Sequence, residues 1–199
     1  MSARAPKRLS RAVVYDGRIF RIERDVVRMP HGGKATMEVV RHRGSVVLVP
    51  QPAPDRITLI RQYRYVIGRW IWELPAGSLE AREAPRRAAV RECEEEIGLR
   101  PGRVTSLGTF YPTPGFCDEL MTFFHCTRLA KPRRPPARDE DEQIEPRTVT
   151  IAQAWKLVAR GEIVDMKTVL GLVLLERVMF RSGTHLTRRS SKRNARSDR

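Results

Sequence analysis

Glu73–Leu99 reads ELPAGSLEAREAPRRAAVRECEEEIGL and sets Glu92, Glu94, Glu95 and Glu96 within five consecutive positions. Pro85 near its start and Gly98 near its end predict a helix of about three turns, since proline suits a first turn and glycine a C-terminal cap. At roughly 100° per residue, Glu92 and Glu96 share one stripe, with Glu95 beside it. Val90, Cys93 and Ile97 fall on another stripe that would face a core. A solvated acidic helix is the ordinary reading of such a pattern. Against it, clustered like charges weaken a helix and raise one another's pKa unless a cation sits among them. Arg91 is spaced to pair with Glu95, but Glu92 has no basic residue four positions on. A hard divalent cation suits the cluster, because magnesium and manganese prefer carboxylate oxygen.

Outward from this segment, composition sets bounds. The 199 residues suffice for one domain with a good core, or one domain and an appendage. A formal net charge of +15 and a pI near 10.9 favour polyanionic partners such as nucleotides, nucleic acid or an anionic surface. Cys93, Cys117 and Cys126 are odd in number and lack metal-type spacing, which reads as reduced thiols in a reducing, cytoplasmic compartment. The basic N-terminus has no apolar run of signal-peptide type, and no stretch reaches the roughly 18 to 20 apolar residues of a membrane span.

Residues 1–11 read as flexible. Residues 12–29 predict a strand, a turn at Asp16-Gly17 and a second strand, with Pro30–Gly33 reversing the chain into residues 35–41. Strands follow at Ser45–Pro50, Ile57–Tyr65 and Trp70–Leu74, and beyond the helix at Val104–Tyr111 and Leu120–Thr127. Lys131–Glu145, with its prolines and the acidic run Asp139–Glu142, reads as an exposed loop of functional length. Two helices close the domain at Ile151–Arg160 and from Met166 to about Phe180, the second with Val169, Leu170, Val173, Leu174 and Val178 as its apolar face. Residues 181–199 carry seven basic side chains against Asp198 and read as a disordered basic tail, either solvated or a polyanion-binding arm.

Gly77, Glu83 and Arg91-Glu92-Cys93-Glu94-Glu95-Glu96-Ile97-Gly98-Leu99, in that spacing, resemble the signature of the Nudix hydrolases; Cys93 stands where a larger aliphatic residue is more common. RQYRY ahead of the signature, WELPAG leading into it and YPTPGFCDE after it resemble the ADP-ribose pyrophosphatase branch. Pro114, fifteen residues beyond Leu99, falls where that branch carries a proline.

The resemblance implies an α/β fold, the Nudix α/β/α sandwich with a mixed sheet, spanning residues 12–180. It also implies a homodimer in which N-terminal antiparallel strands, about residues 12–41, help to build the site of the partner subunit. Its implied activity is Mg2+-dependent hydrolysis, with Mn2+ as an alternative ion, of the pyrophosphate bond of ADP-ribose or a related nucleotide sugar. By the same resemblance, Glu92, Glu95, Glu96 and the carbonyl of Ala76 are metal ligands, with Glu83, Arg91, Gly77 and Gly98 as structural members of the signature. The general base falls in the acidic loop, Glu142 before Glu140, with Glu95 a further catalytic candidate. Arg64, Pro114 and Glu119 match substrate-binding positions, and Tyr15 and Phe20 are the aromatic candidates for adenine. Two alternatives stand: a Nudix pyrophosphohydrolase for a nucleoside triphosphate or an RNA 5′ end, and a non-catalytic regulator that binds nucleic acid through the basic tail.

Overall fold

Val46, Val47, Leu48 and Val49 have no solvent exposure, because strand β4 (Ser45–Pro50) is covered on both faces. In the computed structural model, which describes residues 4–132 and 143–181, β4 lies inside a four-stranded mixed sheet. It pairs antiparallel with β7 (Ala76–Ser78) and parallel with β9 (Met121–Ala130), which in turn pairs antiparallel with β8 (Arg100–Phe110). Successive strand side chains point to opposite faces. Val46 and Leu48 therefore meet Ala89, Cys93 and Ile97 of helix α1 (Pro85–Ile97). Val47 and Val49 meet the cluster built by helices α2 (Ile151–Ala159) and α3 (Met166–Arg181). Helices on both sides of sheet make this an α/β sandwich. A second sheet, β10 (Ile144–Thr150), β5 (Arg56–Arg64) and β6 (Arg69–Glu73), contributes Ile57, Leu59 and Ile60 to the same two cores.

The N-terminal strands β1 (Lys7–Asp16), β2 (Phe20–Arg28) and β3 (Lys34–His42) form a separate antiparallel sheet. Its first strand starts at Lys7, so the segment that reads as flexible through residue 11 is ordered over its last five residues. The cause is charge: Arg11 Nε lies 3.0 Å from Glu23 Oε2 and 3.2 Å from Asp25 Oδ1, and Arg8 reaches Asp25 at 3.7 Å. Glu23 and Asp25 are buried, and burying a carboxylate is costly unless a cation pairs with it. The sheet is joined to the rest through β3. Val40 N–H donates to the Phe116 carbonyl (2.8 Å), Asp118 N–H to the Val40 carbonyl (3.1 Å), and Arg41 spans from Glu23 (2.7 Å) to Asp118 (3.0 Å).

Two further differences from the sequence reading have physical causes. Residues 144 and 145, read as the end of a loop, begin β10, whose Pro146 is tolerated because β10 is an edge strand. The inward face of α3 is wider than the expected one. Leu174 is buried, and Val169 and Leu170 pack against the core as read. Thr168, Gly171, Leu172 and Leu175 are buried as well, and Val173 is 48% exposed. Thr168 turns toward the sheet, its Oγ1 accepting the Leu74 N–H at 2.8 Å. One turn on, Gly171 sits against the Leu74 side chain, where a Cβ would collide with it. Residues 133–142, which include Glu140 and Glu142, and residues 182–199 of the basic tail lie outside the described residues. No helix among the described residues is long and apolar enough to cross a membrane.

Gly171→Ala tests how tightly α3 seats on Leu74. Overpacking costs about 1–3 kcal/mol, against a helix-propensity gain of at most about 1 kcal/mol. The expected outcome is a lower urea midpoint at unchanged slope; an unchanged or higher midpoint would mean that Leu74 yields freely.

Candidate active site

Helix α1 begins with Pro85 in its first turn and ends where Gly98, at φ 69°, donates its N–H to the Glu94 carbonyl. Glycine takes this left-handed conformation at little cost. With both ends fixed, Cys93 and Ile97 enter the core, and Glu92 and Glu96 turn toward the strand β7. Glu96 Oε2 accepts the Ala76 N–H at 2.8 Å. The Glu92 carboxylate lies directly over Gly77, where any Cβ would collide with it. Packing against that carboxylate therefore calls for glycine at residue 77.

Arg91 organises the acids. Its Nε and Nη2 donate to the two oxygens of Glu83 at 3.1 and 2.9 Å. Nη1 donates to Glu92 at 2.7 Å and to Glu95 at 2.8 Å, and Nη2 also reaches the Ser78 carbonyl at 3.3 Å. The bidentate hydrogen bond from Arg91 pushes the Glu83 pKa below its ordinary value, and the same acids push that of Arg91 up. One guanidinium thus holds three carboxylates, on a loop and on two positions of a helix.

Glu92, Glu95, Glu96, Arg91, Ala76 and Gly77 line a single cavity of about 380 Å³. Every donor that the acids offer is a carboxylate oxygen, and the cradle over Gly77 leaves the Glu92 oxygens at the cavity wall. That chemistry fits a hard divalent cation. Among the described residues no three acid, histidine or cysteine side chains converge as a ready-made metal cluster; Glu92 and Glu95 bond Arg91, and Glu96 bonds the Ala76 N–H.

The other expected positions lie away from this wall. Arg64 makes a bidentate pair with buried Glu73 at 2.7 and 2.9 Å, and Lys167 also binds Glu73. Pro114 is exposed on the turn between β8 and β9. Glu119 accepts from Ser45 Oγ at 2.8 Å, with His42 Nδ1 at 3.7 Å. Three lining residues have no counterpart in the sequence reading: Arg18, Ile19 and Arg43. The signal for Arg18 and Arg43 is a basic residue beside the Asp16-Gly17 turn, and one two positions past the strand read at residues 35–41.

Glu83→Gln is expected to destabilise the protein by about 1.5–3 kcal/mol at neutral pH, the range for a hydrogen bond to a charged group. Because the folded pKa of Glu83 lies below the ordinary 4.5, its contribution is complete above that value. It fades as pH falls through the lower folded value, so the gap to wild type in denaturant midpoints should close in acid. A gap that persists there would assign the loss to shape instead of charge.

A NUDIX domain family model matches residues 41–169. The ADP-ribose pyrophosphatase of Mycobacterium tuberculosis is 39% identical over 171 residues, covering 85% of this chain and 83% of that one. The ADP-ribose pyrophosphatase of Bacillus subtilis is 32% identical over 176 residues, covering 88% and 95%. The crystal structure of an ADP compounds hydrolase superposes with a TM-score of 0.81, over 93% of this chain and 100% of that one, at 22% identity, a likeness of fold. Nudix hydrolases generally need a divalent metal ion, which agrees with the oxygen-only wall. With its glutamates gathered on Arg91 over Gly77 and the family model spanning most of the domain, the chain belongs to the Nudix family and is a Nudix hydrolase.

Proposed function

We propose that this enzyme hydrolyses the pyrophosphate bond of ADP-ribose, or of a related nucleoside diphosphate sugar, giving AMP and ribose 5-phosphate from ADP-ribose. The observation that carries the reading is the 39% identity, over most of both chains, to an ADP-ribose pyrophosphatase, in a chain whose cavity gathers Glu92, Glu95 and Glu96.

The reaction adds water across a P–O–P bridge: one P–O bond forms, one breaks, and the proton of the attacking water leaves for a base. Each phosphate is anionic, so the bridge repels both a nucleophile and the acids of the wall. Mg2+, or Mn2+, held by Glu92, Glu95, Glu96 and the Ala76 carbonyl, would neutralise that charge, orient the diphosphate and lower the pKa of bound water. Arg91 orients the carboxylates of Glu92 and Glu95 through hydrogen bonds of 2.7 and 2.8 Å. Glu142, with Glu140 as the second candidate, takes the proton. Arg64 binds substrate from its anchored position on Glu73, and Pro114 and Glu119 contribute from the turn after β8.

Two copies assemble through the N-terminal sheet in this reading. Support comes from Val13, Val14, Tyr15 and Met37, apolar side chains that β1 and β3 leave exposed, in a setting where a second copy would cover them. Sedimentation should return twice 22.9 kDa; a monomer at micromolar concentration would remove this part. Cytoplasmic localisation is supported by three cysteines that are all free thiols.

The direct test is a panel of nucleotide sugars and nucleoside triphosphates with Mg2+, reading AMP release by chromatography. ADP-ribose should be among the best substrates, and preference for a triphosphate would overturn the assignment. Glu96→Gln should lower kcat by about 10² or more, several kcal/mol of charge stabilisation at 1.36 kcal/mol per tenfold. Glu142→Gln should lower it by about 10² to 10⁴ if that residue is the base; a change under threefold would move the role elsewhere.

A further inference from the structure

Two arginines from outside the family signature share the cavity of the acid wall. Arg18 and Arg43 line the same cavity of about 380 Å³ as Glu92, Glu95 and Glu96. Both also line an adjoining cavity of about 200 Å³ with Phe20, Arg41 and His42. They stand at the junction of two spaces. Among the described residues neither guanidinium has a hydrogen bond or ion pair, although Arg11, Arg21, Arg41 and Arg91 are all paired with carboxylates. Two unpartnered cations in a cavity with four glutamates, Glu80 among them, leave a gap that an anion would bridge.

Each arginine is mounted on fixed backbone. The turn that carries Arg18 is closed by the Gly17 N–H donating to the Phe20 carbonyl at 3.1 Å, with Arg21 Nε on Asp16 at 3.1 Å. The Tyr15 ring packs over Gly17, 2.5 Å from where a Cβ there would stand. Arg43 sits at the corner between β3 and β4. There His42 N–H donates to Asp118 at 2.9 Å and Gly44 N–H to His42 Nδ1 at 3.1 Å. The Leu79 N–H donates to the Gly44 carbonyl at 3.0 Å, and Leu79 lies two residues beyond Gly77. Arg43 is thereby tied to the loop that supports the Glu92 carboxylate.

Resting on the proposed substrate class, we propose that Arg18 and Arg43 form a clamp for an organic diphosphate, gripping it on the side opposite the glutamates. The clamp orients the bridge, and the smaller cavity receives a group attached to it. Arginine suits this task because its planar fork matches phosphate oxygens two at a time.

The test uses the full chain, with Arg18→Ala, Arg43→Ala, the double variant and Arg43→Lys. Titration calorimetry without divalent ion compares ADP, AMP and adenosine as probes. The expected result is a loss of affinity for ADP of at least tenfold in the double variant, less for AMP, and none for adenosine, with unchanged melting temperature. Arg43→Lys should retain part of the affinity, and in turnover of ADP-ribose the alanine variants should raise KM more than they lower kcat. Equal losses for ADP and adenosine, or ADP affinity within twofold of wild type, would overturn the clamp. Failure of the substrate assignment reads differently: wild type would then leave ADP-ribose intact while the charge-graded titration still reported on Arg18 and Arg43.

Discussion

The Arg91 guanidinium is the interaction on which the site depends. Glu83, Glu92 and Glu95 would repel one another if they were gathered without a cation. Arg91 removes that cost by donating to all three, and it fixes their spacing as well. Its bidentate grip on Glu83 binds the loop after β7 to the helix α1, so the glycine at residue 77 and the glutamates move as one body. Glu96 is held independently by the Ala76 N–H. The wall is therefore set by two anchors, one from a side chain and one from backbone.

Packing behind the wall explains why it stays in register. β4 gives alternate residues to two cores, so α1 on one face and α3 on the other are referenced to the same strand. α3 reaches the site through Leu74, which bonds Thr168 by its N–H and receives Gly171 against its side chain. Residue 74 lies two positions before Ala76. Next to it, Glu73 is buried and satisfied by Arg64 and Lys167, a pairing that joins β5, β6 and α3. A buried carboxylate left without those cations would cost several kcal/mol, which makes this ion cluster a structural tie close to the site.

What the sequence made legible was local in its chemistry. α1, its two ends, the carboxylate stripe and β4 all followed from spacings within one element, and the signature of the family followed from residues in a single segment. Non-local partners hid the rest. Arg91 could be matched to Glu95 by helical spacing, but its bonds to Glu83 and Ser78 need the folded loop. Lys7–Arg11 looked like a loose basic segment because the acids that order it, Glu23 and Asp25, lie on the next strand. α3 carries apolar side chains on more than one stripe, so spacing put Val173 inside with Leu174 and left out Leu172 and Leu175, which the folded core buries. Arg18 and Arg43 lie far in sequence from the acids whose cavity they share.

The distribution of charge across that cavity accounts for how a basic protein can carry an acidic centre. A formal charge of +15 draws anionic substrates toward the surface as a whole. At the wall itself the sign is reversed, since Glu80, Glu92, Glu95 and Glu96 outnumber Arg91. A diphosphate can approach those oxygens only when their charge is offset. In the proposed reading, a hard cation held by the carboxylates would do so from one side, and the arginine side chains at residues 18 and 43 would favour the approach from the other. Attraction over the surface and repulsion at the wall would then act in sequence: the first would collect anionic nucleotides, and the second would admit a phosphate bridge only in company with a cation.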